Sequence, residues 1–244
     1  MKLDLRGAVI IIGSLYWDDS KIRKGWRDKF LRMKQGKKID LPIRYGRQSS
    51  TWHNTYTMVL SVKCPKLGRG YAVPFNKPTK TLKDLKKQAL SIASAERNKK
   101  NVATFDWCWG SLGILLNPAL KSRNFDPKPL LNSWAAWYSS DFSHARYRLG
   151  KTEKPSIEKT GILSVEWPKN MKFDFLIATV IKPKNNKRYP SAQEIANAMH
   201  RASCYNYFVQ NRQKGIETFQ DKKILKFLKT KYNLTSYLRK NGIT

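Results

Sequence analysis

Apolar positions between residues 81 and 96 recur at three- and four-residue steps: Leu82, Leu85, Ala89, Ile92 and Ala93. That spacing places them on one face of an α-helix. Lys83, Lys86 and Lys87 take the opposite face, and Thr81 followed by Asp84 is an acidic variant of the capping box that opens a helix. The apolar stripe does not end on an apolar residue. Glu96 lies seven after Ala89, four after Ile92 and three after Ala93, so it continues the inward side. A carboxylate there is either the frayed end of a helix reaching water or an acid kept inside for a task, because an unpaired buried charge is costly.

Other stretches alternate or run as strands do. Residues 8–12 form a β-branched run that reads as a buried strand and breaks at Gly13-Ser14. Residues 39–44, 55–62 and 71–75 read as further strands, the last ending near Pro74, which suits an edge or an end. The stretch 105–116 is strand-like but interrupted by glycines, and 162–167 and 173–181 also read as strands. Helices are expected over 21–33, weakly patterned, and over 130–142, which carries Trp134 and Trp137. Ser191 and Glu194 form a capping box for a helix whose inner side is Ile195, Met199, Ala202, Tyr205 or Asn206, and Val209. Thr218 and Asp221 open a last helix with Ile224, Leu225 and Leu228 inward and Lys222, Lys223, Lys226 and Lys229 outward.

Strands and helices therefore mix without βαβ regularity. The expectation is an α+β fold: a small mixed or antiparallel β-barrel-like sheet flanked by helices, with a helical C-terminal extension. The polar stretch 146–159, with Gly150 and Pro155, reads as a long exposed loop. It sets the candidate boundary between a core over 1–145 and a strand-plus-helix extension over 146–244, packed on the core as one unit.

Composition adds a strong charge. The chain has 244 residues with 48 Lys+Arg against 17 Asp+Glu, formally +31, while 41% hydrophobic content keeps it among globular chains. Such a field attracts polyanions, nucleic acid first and acidic membrane surfaces second. The cations are spread along the whole chain, so a diffuse surface explains the same total. Two segments are candidates for a focused interface: the four lysines of the last helix, and Arg44, Tyr45, Arg47, Trp52 and His53, where cations and aromatics interleave. The second segment reads equally well as a solvated strand edge.

Several chemistries lack their residues. Cys64, Cys108 and Cys204 form no CxxC pair, and His53, His144 and His200 have no metal-ligand spacing, so neither a metal site nor a disulfide framework is expected. The thiols suit a reducing cytoplasm. The first apolar run, before Gly13, is too short for a signal-peptide core or a membrane span. Gly-rich nucleotide motifs are absent, and Ser14 has no GxSxG elbow around it. What Gly13-Ser14-Leu15 does offer is a turn after a buried strand, whose successive backbone N–H groups suit a carboxylate or phosphate.

The order of these motifs resembles the gamma-glutamylcyclotransferase-like superfamily, and most of all its bacterial members with GSLxWD after the first strand. The matching residues are Gly13, Ser14, Leu15, Trp17 and Asp18; Pro42, Arg47 and Ser49; Thr57, Met58 and Val59; then Ala95, Glu96 and Arg97. The resemblance spans roughly residues 9–116. It implies a small mixed β-barrel, a GSL turn that holds the carboxylate of a gamma-glutamyl group, and Glu96 as general acid/base. Arg47 joins Gly13, Ser14 and Leu15 as a substrate-binding candidate. The implied reaction releases 5-oxoproline and a free amine from a small gamma-glutamyl substrate, with no metal or organic cofactor. Two departures stand out: Ile12 replaces the family's usual tyrosine, and the half after residue 117 has no counterpart in the minimal fold. Reuse of the fold to bind nucleic acid is the alternative.

Overall fold

The computed structural model describes residues 2–123, 125–183 and 188–243. Its strands in chain order are β1 (Lys2–Leu5), β2 (Gly7–Ile11), β3 (Lys37–Leu41), β4 (Ile43–Ser49), β5 (Thr55–Leu60), β6 (Gly68–Pro74), β7 (Thr79–Thr81), β8 (Asp106–Trp107), β9 (Gly110–Leu116) and β10 (Phe175–Ile181). Its helices are α1 (Lys21–Phe30), α2 (Leu82–Arg97), α3 (Lys128–Ala135), α4 (Ala192–Arg201), α5 (Asn206–Gln213), α6 (Asp221–Thr230) and α7 (Thr235–Lys240).

The β-branched run near the N-terminus lies inside a mixed six-stranded sheet ordered β3-β6-β2-β10-β9-β8. All five residues of β2 are buried, as a strand covered on both faces requires. It pairs antiparallel with β6 and parallel with β10. The fold is α+β, as the mixed pattern predicts. The sheet stays open, with β3 and β8 at its edges, instead of closing as a barrel. At Pro42, which has no amide hydrogen to give a ladder, the chain leaves this sheet for a separate β4–β5 ribbon. The single strand expected over 39–44 is therefore two strands in two sheets.

Strand β10 comes from the second half of the chain and sits between β2 and β9 of the first, so both halves build one sheet. Helix α2 packs on β9 and β10 with Leu85, Ala89, Ile92 and Ala93 of the predicted stripe fully buried and Leu82, at its start, half-buried. Both predicted capping boxes form, Thr81 with Asp84 and Ser191 with Glu194.

Three local expectations are corrected. Residues 162–167 form no strand, only isolated bridges Ile114–Ile162 and Ile157–Leu163. The helix opened by Ser191 breaks into α4 and α5 where Ser203 adopts the left-handed region at φ 47°. The stretch 146–159 is not an exposed loop: Tyr147, Ser156 and Ile157 are buried. Its Glu153 is buried too, and the carboxylate accepts bonds from Ser61 Oγ (2.8 Å), the Leu149 amide (2.9 Å) and Tyr189 Oη (2.9 Å). Polar sequence reads as surface only until such partners arrive from elsewhere in the chain.

Asp221 is a second buried acid. Thr218 donates to its Oδ1 from the amide (3.0 Å) and the hydroxyl (2.6 Å), while Oδ2 has no partner among the described residues. Burial pushes its carboxyl up to about 7 despite the Thr218 bonds. The folded chain then holds this proton more tightly than the unfolded chain. Its contribution to stability is full below the unfolded value of 3.8 and lost as pH rises through about 7. Asp221→Asn keeps an oxygen acceptor for Thr218 and removes the charge. It is expected to flatten the fall in melting temperature between about pH 4 and 7. Melting curves across that range check this; an unchanged slope contradicts it.

Candidate functional site

The end of β2 leads into the Gly13-Ser14-Leu15 turn. Residues Ser14–Tyr16 form a single 3-10 turn. The Tyr16 amide donates to the Gly13 carbonyl (3.0 Å), and the Trp17 and Asp18 amides donate to the Ser14 carbonyl (3.1 and 2.8 Å). The Ser14 and Leu15 amides donate to no group among the described residues. They remain available to an acceptor from outside. Gly13 itself is extended, at φ −175°, so its backbone does not need glycine. Its surroundings do: a Cβ there would lie 2.5 Å from Tyr207 Oη.

The turn borders a cavity of about 180 Å³ that Glu96, Arg47, Thr179 and Tyr207 also line. The alternative of a frayed α2 end in open water is thereby removed. Glu96 is half-buried, and among the described residues no hydrogen bond or ion pair reaches its carboxylate. Burial raises its pKa above the ordinary glutamate value, with the positive charge of Arg23 opposing. An acid so placed can exchange a proton nearer neutrality than an exposed one.

Arg23, from α1, is the hub beneath the site. Its guanidinium donates to Ser14 Oγ (3.1 Å), Asp18 Oδ2 (2.6 Å), the Ala95 carbonyl (3.1 Å) and the Glu96 carbonyl (3.3 Å). One buried side chain thus clamps the turn after β2 to the end of α2. Arg27 adds bonds to the carbonyls of Leu15 (3.0 Å) and Asp18 (2.7 Å). Burial acts to raise the Asp18 carboxyl, but the Ser20 amide and Arg23 hold it below its usual value.

Arg47 enters from β4, just past a bulge in the β4–β5 ladder. Its guanidinium lies 5.7 Å from the Trp109 ring centroid and donates to the Lys182 carbonyl at 3.2 Å. Tyr207 comes from α5, in the half that the sequence reading left without a role. Its ring packs 5.6 Å from Trp52 and 6.2 Å from Trp17, and Trp17 Nε1 donates to Asn211 Oδ1 of the same helix (2.7 Å). Neither Arg23 nor Tyr207 has a local sequence signal.

The structure therefore brings together Glu96, Gly13, Ser14, Leu15 and Arg47. It does not bring the lysines of α6 to them. Lys222, Lys223 and Lys226 are exposed and Lys229 is half-buried, opposite the buried Ile224, Leu225 and Leu228, and none lines the cavity. The cation–aromatic segment 44–53 is not one platform. Tyr45 is fully buried, Arg44 stacks on Tyr189 at 4.0 Å, Arg47 and Trp52 face the cavity, and His53 is exposed in a left-handed turn.

Among the described residues the lining includes no histidine or cysteine, and Ser14 Oγ is taken up by Arg23, so no histidine-activated serine nucleophile is built there. Among the described residues all three thiols are free, no cluster of three metal-ligating side chains occurs, and no helix is long and apolar enough to cross a membrane. What the cavity offers is one acid of raised proton affinity, a turn with unused N–H groups, and two guanidinium groups, Arg23 already engaged with the turn and Arg47 beside Trp109. No family model, no curated protein and no solved structure matches this chain.

Proposed function

We propose that the cavity is a catalytic site of the gamma-glutamylcyclotransferase type, acting on a gamma-glutamyl amine or amide. The observation that carries this reading is the shared cavity of the Glu96 carboxyl and the Gly13–Ser14–Leu15 turn. The unused amides of Ser14 and Leu15 hold the α-carboxylate of the gamma-glutamyl group, and Arg47 meets a further anionic or polar group of the substrate. The α-amine then attacks the γ-carbonyl carbon. Glu96 takes a proton from that nitrogen as the bond forms and returns it to the leaving nitrogen as the old C–N bond breaks. The products are 5-oxoproline and the free amine, and the proton balance closes on Glu96 alone. The cytoplasm, where free thiols persist, is the compartment that fits.

The test is direct. The protein is incubated with a panel of gamma-glutamyl amino acids, amines and amides, and 5-oxoproline and amine are followed together. Equal release of both from at least one compound is the expected result. Absence of 5-oxoproline across the panel removes this reading.

Nucleic-acid binding is the second reading, favoured by the lysines that α6 presents outward. A chain of this charge binds polyanions at low salt whatever its role, so the shape of the salt dependence decides. Replacing Lys222, Lys223, Lys226 and Lys229 by Gln should flatten the plot of log affinity against log salt by about one unit per lost phosphate contact. The same change at the exposed Lys77, Lys80, Lys83 and Lys87 should leave it nearly unaltered. Equal effects from both sets make the charge a diffuse field and end the dedicated-interface reading.

A further inference from the structure

Among the described residues, Tyr207 is the one polar side chain that the C-terminal half places around the Glu96 cavity from a helix. It is buried at 5% exposure, yet its residue lines the cavity. Its oxygen accepts the Met58 amide at 3.2 Å, a bond that uses an oxygen lone pair and leaves the phenol proton unspent. Among the described residues that proton has no acceptor. Burial, followed by the nearby charge of Glu96, pushes the phenol up to about 12, so the group is a neutral donor at physiological pH. The position is fixed from two sides. The Met58 amide holds the oxygen, and the missing side chain of Gly13 makes room for it, since a Cβ there would stand 2.5 Å away. A phenol beside the cavity with its proton unspent suits a ligand that brings an acceptor oxygen.

We propose that Tyr207 is a catalytic residue whose hydroxyl donates a hydrogen bond to the carbonyl oxygen under attack, opposite Glu96. The inference rests on the cyclotransferase reading and extends it to a residue outside the resembling segment. As the α-amine adds to the γ-carbonyl carbon, the C=O π pair moves onto oxygen, and the phenol meets the growing charge. As the leaving nitrogen departs, that pair returns to re-form the carbonyl, and the phenol keeps its proton throughout. A donor of this kind binds the transition state more tightly than the ground state, so its loss appears in kcat.

Tyr207→Phe is therefore expected to lower kcat by about 10²–10³-fold with KM changed less than about threefold. A kcat within about threefold of the parent overturns the proposal. Tyr207 also braces the turn, so a second pair of variants separates bracing from catalysis. Gly13→Ala drives a Cβ into the phenol oxygen. In the double variant Gly13→Ala/Tyr207→Phe the nearest ring atom is Cζ at 3.4 Å, an ordinary contact. The double variant should regain the melting temperature that Gly13→Ala alone loses, while kcat stays as low as in Tyr207→Phe. If kcat recovers with the melting temperature, Tyr207 is only a brace and the proposal fails. If the parent turns over no gamma-glutamyl compound, the cyclotransferase reading fails first, and Tyr207 is then judged by titration with 5-oxoproline as the probe. Affinity at least about tenfold weaker in Tyr207→Phe keeps the donor assignment; equal affinities, or no binding to the parent, end it.

Discussion

Glu96→Gln is expected to cut the release of 5-oxoproline by about 10²–10⁴-fold, the usual contribution of a general acid/base. The amide keeps the shape of the side chain and its place on α2 but cannot exchange the proton. The pH dependence gives an independent check. Catalysis needs the ionised carboxylate to begin, and burial raises the Glu96 pKa above 4.5, so the acid limb of the rate profile should sit above the ordinary glutamate range. The same shift has a consequence for stability. The folded chain binds this proton more tightly than the unfolded one, so stability is full below the unfolded value and falls as pH rises through the folded value. Glu96→Gln should therefore melt no lower than the parent at neutral pH, and its melting temperature should depend less on pH. Loss of activity with folding intact is the signature of the assignment. A variant as active as the parent rules the mechanism out.

The parts of this site that sequence makes legible are those written locally. Glu96 announces itself because a carboxylate interrupts a period of 3.6 on a helix whose other inward residues, Leu85, Ala89, Ile92 and Ala93, are apolar. The turn after β2 is legible because a β-branched run stops at a glycine. Both capping boxes are legible because three residues suffice to define them. The rest depends on which distant segments meet. Arg23 lies on a helix whose buried residues are Arg23, Trp26 and Arg27, two of them cations that no hydrophobic period selects. Its importance appears only when Ser14, Asp18, Ala95 and Glu96 are seen around one guanidinium. Glycine at 13 is explained by a tyrosine at 207, which no local window contains. The interleaved cations and aromatics from Arg44 onward left two readings open for a related reason. A bulge beside Gly46 and partners from elsewhere send Arg44, Tyr45 and Arg47 to three different environments. Barrel closure failed because pairing is decided by the meeting of edges, and β4 and β5 pair with each other alone.

Arg23→Met is expected to be the most damaging single change to the fold around the cavity. Methionine matches the length of the stem but brings no donor. Asp18, only partly exposed, would lose its charge partner, and Ser14 Oγ and the carbonyls of Ala95 and Glu96 would lose their bonds at once. Stranding the partly buried Asp18 carboxylate together with the Ser14 hydroxyl and the two carbonyls costs about 3 kcal/mol in sum. For a chain of this length that corresponds to a fall of about 6–12 °C in melting temperature. Arg23→Lys should recover only part of this, because an ammonium cannot reproduce the planar fork that spans the turn and the end of α2. Two pH effects follow with opposite signs. Against the upward pull of burial, the Ser20 amide and then Arg23 hold the Asp18 carboxyl below its usual value, so part of the parent's stability is present above the unfolded value of 3.8 and lost as pH falls through the folded one. In Arg23→Met that acid loss should shrink by the share Arg23 supplies, while the Ser20 amide bond to Asp18 remains. At Glu96 the guanidinium opposes the upward pull of burial, so its removal should move the acid limb of the rate profile to higher pH. Melting curves from about pH 3 to 8 and a pH–rate profile on whatever folded fraction remains read both effects. Parent-like melting together with a parent-like profile would show that the turn and α2 hold their places without the clamp.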